Sequence, residues 1–160
     1  MAIRDKPAFI RAGTAVYRLF TGKIKYLLVT QNPRAGQWIL PQGHQSQGET
    51  PQETARRETL EESGCEVKIL DELGTFSIGS SEKEHVTVIF LARWISTGQS
   101  TESREIAWAT LQEVDHFPVH PETRTLLRKA QKLLDSRIQE AEQSANDLLG
   151  KLVDVSINRP

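Results

Sequence analysis

The chain has a single cysteine, Cys65, in 160 residues. One cysteine allows neither an intramolecular disulfide nor a cysteine-rich zinc site. Neither sign of charge is in excess: Lys+Arg 20 against Asp+Glu 21 leave a net −1. No global basic field is there to hold a nucleic-acid backbone, so general nucleic-acid binding is not expected. Long hydrophobic runs are absent. No segment reaches the length of a membrane span, and the N-terminal stretch MAIRDKPAFIRAG has no apolar run of signal-peptide length. Aromatic residues make up only 6%, and both tyrosines, Tyr17 and Tyr26, fall in the first predicted hairpin. A chain of this size can bury one core. The expectation is one reduced, cytoplasmic, soluble domain over residues 1–149, followed by a tail over 150–160.

What is present is a clear succession of elements. Residues 8–20 are rich in β-branched and aromatic residues and read as a strand. Thr21-Gly22 is a turn signal, and KIKYLLVT, residues 23–30, is the hairpin partner. A loop over 31–37 precedes a short strand, Trp38 to Leu40, that Pro41 ends. Residues 42–49 are polar, glycine-bearing and read as a loop. Thr50-Pro51 opens a helix, with Thr50 as N-cap and Glu53 as its capping-box partner, and Gly64 stops it. Two β segments, 66–78 and 85–95, flank a polar turn. A short strand over 105–109 and a helical turn over 111–115 follow. A long helical pattern then runs from Pro121 to about residue 149. Strands, helix, strands, helix suggest an α+β fold with a mixed sheet between helices.

The stretch GHQSQGETPQETARRETLEESGC, Gly43 to Cys65, carries the chemistry. Within it, Glu58, Glu61 and Glu62 stand at i, i+3 and i+4, on one helix face. Like charges at that spacing weaken a helix. Three glutamates alone are more often a solvated acidic face than a site, but a hard divalent cation with oxygen ligands would offset their repulsion.

Their surroundings decide between these readings. Gly43, Glu49, Arg57, Glu58, Glu61, Glu62 and Gly64 occupy the seven identity positions of the signature of the Nudix hydrolases, which the chain resembles here. At ordinary residue usage such a match has a chance of about one in 10^8 at a given start. The departures are Thr59, where the family prefers an aliphatic residue, and Cys65 at the final apolar position. The resemblance implies an α/β/α sandwich with the signature as loop-helix-loop. It implies a hydrolase of diphosphate linkages that uses Mg²⁺, with Mn²⁺ as a substitute. It implies metal ligands at the Gly43 carbonyl, Glu58, Glu61 and Glu62, and orienting roles for Glu49 and Arg57. Arg57 can hold a carboxylate by paired hydrogen bonds.

The general base stays open between Glu58 and Glu61. A glutamate outside the signature is common in the family. Here Glu102 and Glu105 are the candidates, with Glu105 preferred, and Glu82 and Glu84 come next. For substrate binding the candidates are Gln42, His44 and Arg34, with Arg93 and Lys83 as further phosphate contacts. Trp38 with Leu40-Pro41-Gln42-Gly43-His44 resembles the family segment that reads Trp, aliphatic, Pro, Lys, Gly, His, common in hydrolases of dinucleoside polyphosphates and related inositol or nucleotide substrates. Gln42 replaces the lysine, and an amide lacks its point charge. A tyrosine clamp from the C-terminal half is absent. The reading is a nucleoside polyphosphate substrate, a dinucleoside polyphosphate first. The 5′ end of a triphosphorylated RNA comes second, and a non-catalytic nucleotide-binding module is the alternative of another class. His116 and His120 lack a third ligand at zinc-site spacing.

The last helical pattern would span roughly 43 Å, more than a small domain covers. Leu127, Leu134, Ile138, Ala141, Ala145 and Leu148 share one stripe. Either the helix breaks near Asp135-Ser136, or its second half packs on a partner chain, as in a homodimer.

Overall fold

The computed structural model describes residues 9–32, 36–78 and 85–157. In chain order these form β1 (Phe9–Phe20), β2 (Lys23–Asn32), β3 (Gln37–Ile39), β4 (Gln42–His44), α1 (Pro51–Ser63), β5 (Cys65–Ile78), β6 (His85–Thr97), β7 (Ile106–Ala109), a 3-10 turn (Glu113–His116) and α2 (Pro121–Ile157). The β1–β2 hairpin closes through Thr21 and Gly22, with φ of 48° and 77°. Positive φ at both central residues matches the right-handed twist of the flanking strands.

The strands make one mixed sheet in the order β3-β2-β1-β6-β5. β1 is its organiser. On one side it runs parallel to β6, from the Phe9–His85 pair to the Tyr17–Arg93 pair. On the other side its second half pairs with β2, and its first half pairs with β4 from Arg11–His44 to Gly13–Gln42. β6 is therefore buried between β1 and β5, as its apolar run predicts; Ile89 and Leu91 have no exposed surface.

Alternation along β1 feeds two layers. Ala15 faces α2, in a core with Tyr26, Leu28, Leu73, Ile89, Leu91, Leu127, Ala130 and Leu134. Ala12 and Val16 face the other way, toward α1 and toward Cys65, Val67 and Ala92. Helices on both faces of a mixed sheet make the expected α/β/α sandwich.

Four details depart from the sequence reading. Gln42–His44 is a strand, because β1 outruns β2 and leaves backbone partners free at its first half. Gln37 joins β3, ahead of the Trp38 start. β6 continues to Thr97, paired with Cys65. α2 neither breaks at Asp135-Ser136 nor ends near 149; it continues to Ile157. The stretch 150–157, expected as an extended tail, is thus helical.

Candidate active site

The site forms where β4 meets α1. The helix starts as expected: Thr50 Oγ1 accepts from the Glu53 backbone N–H at 3.2 Å, and Glu53 accepts from the Thr50 N–H at 2.8 Å. It ends at Gly64, in the left-handed region at φ 74°, whose N–H reaches the Leu60 carbonyl at 2.8 Å. A buried hydroxyl pair fixes its rotation on the sheet. Thr59 Oγ1 donates to the Ala55 carbonyl at 2.7 Å, so its neighbour Thr14 Oγ1, 2.6 Å away, donates to it. This accounts for threonine at a position where an aliphatic residue is expected.

Arg57 gathers the acidic groups. Its Nε and Nη2 donate to Glu49 Oε1 and Oε2 at 2.6 and 3.1 Å, a two-pronged contact. Nη1 donates to Glu58 at 2.8 Å and to Glu61 at 3.2 Å. Nη2 also reaches the His44 carbonyl at 3.0 Å. These partners, Glu49 first, raise the Arg57 pKa above its ordinary value. In return Arg57, helped by the Thr54 hydroxyl, holds Glu49 down at about 2. Gly43 completes the cluster, because a Cβ there would fall inside the Glu58 carboxylate.

Glu62 sits apart, 1% exposed. Burial pushes its pKa up to about 8, against a downward pull from Arg104 and with Glu58 and Glu102 adding to the rise. Its Oε1 faces Arg104 Nη2 at 3.4 Å, while Oε2 is buried with no hydrogen-bond partner of good geometry among the described residues; the Gln42 backbone lies near enough to pull the carboxyl pKa down slightly. Arg104 Nε holds Glu102 at 2.6 Å, and Nη1 donates to the Thr30 carbonyl at 3.1 Å. The Thr101 and Glu102 backbone N–H groups donate to the Glu61 carbonyl at 3.2 and 3.1 Å, which fastens this loop to the end of α1.

Beside β4 lies a cavity of about 390 Å³. Arg11, Gln42, Phe76, His85 and His120 are among its lining residues. His44 stands next to it, with its ring 5.7 Å from that of His85. Desolvation, then Arg11 and His85, hold the His44 pKa below its ordinary value, against an upward pull from Glu58.

The structure thus brings together Gly43, His44, Glu49, Arg57, Glu58 and Glu61, with Glu62 and Glu102 joined through Arg104. Glu105 does not join them. It is exposed, and its backbone N–H donates to the Thr30 hydroxyl at 3.2 Å. Strand geometry explains this: Glu105 leads directly into β7, whereas Glu102 lies in the loop tied to α1. Arg34, Lys83, Glu82 and Glu84 lie outside the described residues. Arg104 and Arg11 escaped the sequence reading. The available signal for Arg104 was its place between two candidate glutamates, Glu102 and Glu105; the buried acid it serves, Glu62, lies far off in sequence.

A family model described as the NUDIX domain matches residues 10–130. The chain belongs to the Nudix family. Several Nudix proteins are similar over most of the chain. Mouse bis(5'-nucleosyl)-tetraphosphatase [asymmetrical] is 26% identical over 144 residues, which is 85% of this chain and 98% of that protein. The crystal structure of a C. elegans Ap4A hydrolase binary complex superposes with a TM-score of 0.69 at 27% identity, covering 81% of this chain and 99% of that one. MutT4 of Mycobacterium tuberculosis is 31% identical over 105 residues, 61% of this chain. The chain spans only 42% of MutT4, less than half its length. Among the described residues no helix is long and apolar enough to cross a membrane.

Proposed function

We propose that this Nudix chain is a Mg²⁺-dependent hydrolase, with Mn²⁺ as a substitute, that cleaves a diphosphate linkage in a dinucleoside polyphosphate or similar nucleotide. The observation that carries this reading is the convergence of Glu58, Glu61 and Glu49 on Arg57, next to a buried Glu62 with one oxygen that has no hydrogen-bond partner among the described residues.

The donor set fits a hard cation. Among the described residues no three acidic, histidine or cysteine side chains converge closely enough to cage an ion by themselves. Arg57 and Arg104 stand between them. A complete cage is not needed, because Mg²⁺ retains waters and takes substrate oxygens alongside one or two carboxylates. Glu62 Oε2 is the oxygen in need of a partner, since a buried polar atom left unpaired is costly. Glu58 and Glu62, with the Gly43 carbonyl, would hold the ion, and Glu61, expected as a third carboxylate ligand, is left to act on water. When bound, it would supply electrophilic assistance at phosphoryl oxygens.

The chain's own residues supply the rest. Arg57, anchored by Glu49, aims Glu58 and Glu61 as one unit. Glu61 takes the proton from the attacking water as a P–O bond forms and the anhydride P–O bond breaks. It is the freer of the two candidate bases, with 36% side-chain exposure against 12% for Glu58. Glu102, delivered by its loop, takes the role expected of Glu105. Gln42, His44 and Arg11 line the approach from the cavity and donate to phosphate oxygens. The near-complete coverage of the mouse and C. elegans relatives, which their names link to dinucleoside tetraphosphates, supports that substrate class first.

A panel with Mg²⁺ tests this: diadenosine tetraphosphate, 8-oxo-dGTP and 5′-triphosphorylated RNA, wild type against Glu61→Gln. Metal-dependent cleavage of the dinucleotide, lost in the variant, is expected. If nothing is cleaved, or Glu61→Gln is unimpaired, the catalytic reading fails. Binding without turnover would make the chain a nucleotide-binding module.

A further inference from the structure

The first half of α2 belongs to the domain. Thr123, Leu127, Ala130 and Leu134 are buried, and Tyr26 donates to Gln131 at 2.8 Å. From Asp135 to Ile157 every residue is exposed. That stretch is not polar. Leu148, Leu152 and Val155 are 64%, 61% and 61% exposed, and Ile138 is 44% exposed. Helices in proteins draw most of their stability from tertiary packing, which this stretch lacks among the described residues, and Gly150 weakens it further. A contiguous apolar patch of this kind marks an interaction surface.

The pattern identifies the occupant. Leu134, Ile138, Ala141, Ala145, Leu148, Leu152 and Val155 follow a strict 4-3 spacing, the seam of a coiled coil. The stripe is large at its far end and small at 141 and 145, so it complements itself when reversed. We propose that residues 138–155 pair antiparallel with the same residues of a second copy of the chain, about a two-fold axis between Asn146 and Asp147. Ile138 then faces Val155 of the partner subunit. Ala141 faces Leu152 of the partner subunit, and Ala145 faces Leu148 of the partner subunit. Every layer holds comparable volume, and the contact is isologous, as a two-fold requires.

Competing arrangements are worse on charge, volume or space. A parallel pair in register stacks alanine on alanine beside leucine on leucine. It also sets both domains on one side, because the stripe before residue 135 is covered by its own sheet. An antiparallel pair shifted by one heptad puts Arg137 against Lys151 of the partner subunit. It also puts Glu142 against Glu142 of the partner subunit. The proposed register places Glu142 beside Leu149 of the partner subunit and Ser144 beside Lys151 of the partner subunit, with no like-charge contact.

Sedimentation equilibrium over a concentration series reads the state directly. Wild type should weigh twice 18.0 kDa, and Leu148→Glu should revert to 18.0 kDa at unchanged domain unfolding temperature. Ala145→Leu alone should weaken the dimer, and Ala145→Leu with Leu148→Ala should regain it. Spin labels on Ser156→Cys leave buried Cys65 untouched. They should lie about 30 Å apart in the antiparallel pair, from the 1.5 Å helical rise. A parallel pair would bring them within about 15 Å, given usual helix spacing. A monomer throughout, a Leu148→Glu dimer, or the short distance would overturn the proposal. A monomer that sediments with lipid vesicles would overturn it in favour of a membrane surface.

Discussion

The two helices solve opposite problems. In α1 the difficulty is charge: three glutamates on one face, of which Arg57, anchored by Glu49 in the same short stretch, restrains Glu58 and Glu61, while Glu62 turns to Arg104 in the loop before β7. In the far half of α2 the difficulty is apolar surface, and among the described residues nothing of its own chain covers it. One element is completed by its own domain, mostly from nearby sequence, and the other awaits something outside. The contrast also separates local from non-local information, since every partner of Arg57 among the described residues lies within 13 residues of it.

Substitutions can break this contrast in graded fashion. The largest effect belongs to Glu61→Gln, whose turnover of the preferred nucleotide should fall by about 10²–10⁴, the usual share of a general base. Single-turnover assays with unchanged substrate binding would check it. Gly43→Ala comes next. It forces a methyl group into the Glu58 carboxylate, and denaturant unfolding should show a loss of about 1–3 kcal/mol. Thr59→Val strands the buried Thr14 hydroxyl, at about 1–3 kcal/mol. Adding Thr14→Val should recover part of that loss, and a double-mutant cycle measures how much. If the second change deepens the loss instead, the hydroxyl pair is not the restraint on helix rotation.

The smallest effect is a pH dependence. Arg57 and Thr54 lower the folded pKa of Glu49 to about 2 from 4.5. A depressed carboxylate stabilises the fold above its unfolded pKa and loses that contribution as pH falls through the folded value. The stability gap between wild type and Glu49→Gln should therefore be full near neutrality and close between about 4.5 and 2. Thermal melts across that window decide it. A gap that persists at the acid end would mean that the side chain acts by packing.

Much of α1 was legible because its determinants are local. The Thr50–Glu53 box, the Gly64 stop and the Arg57 contacts all lie within a few turns of one another. The strand of Gln42–His44 was not, because nothing near it shows that β1 has an open side. The parallel pairing of β1 with β6 joins residues about seventy-five positions apart, and neighbouring sequence does not encode it. Arg104 was passed over for the same reason: its worth depends on Glu62, which is brought to it by the sheet. The unbroken run of α2 exceeded expectation because a domain-sized limit was placed on a helix that leaves the domain.

Gly43 and Glu58 touch, and Arg57 reaches back to the His44 carbonyl. The stretch between them is therefore a closed ring, and the fixed gaps in the signature measure its circumference. One residue inserted between Thr50 and Arg57 would turn Glu58 by about 100° around the helix axis and open the ring. Length changes there should be selected against far more strictly than changes of residue type. The same insertion at an exposed surface loop would leave the ring intact.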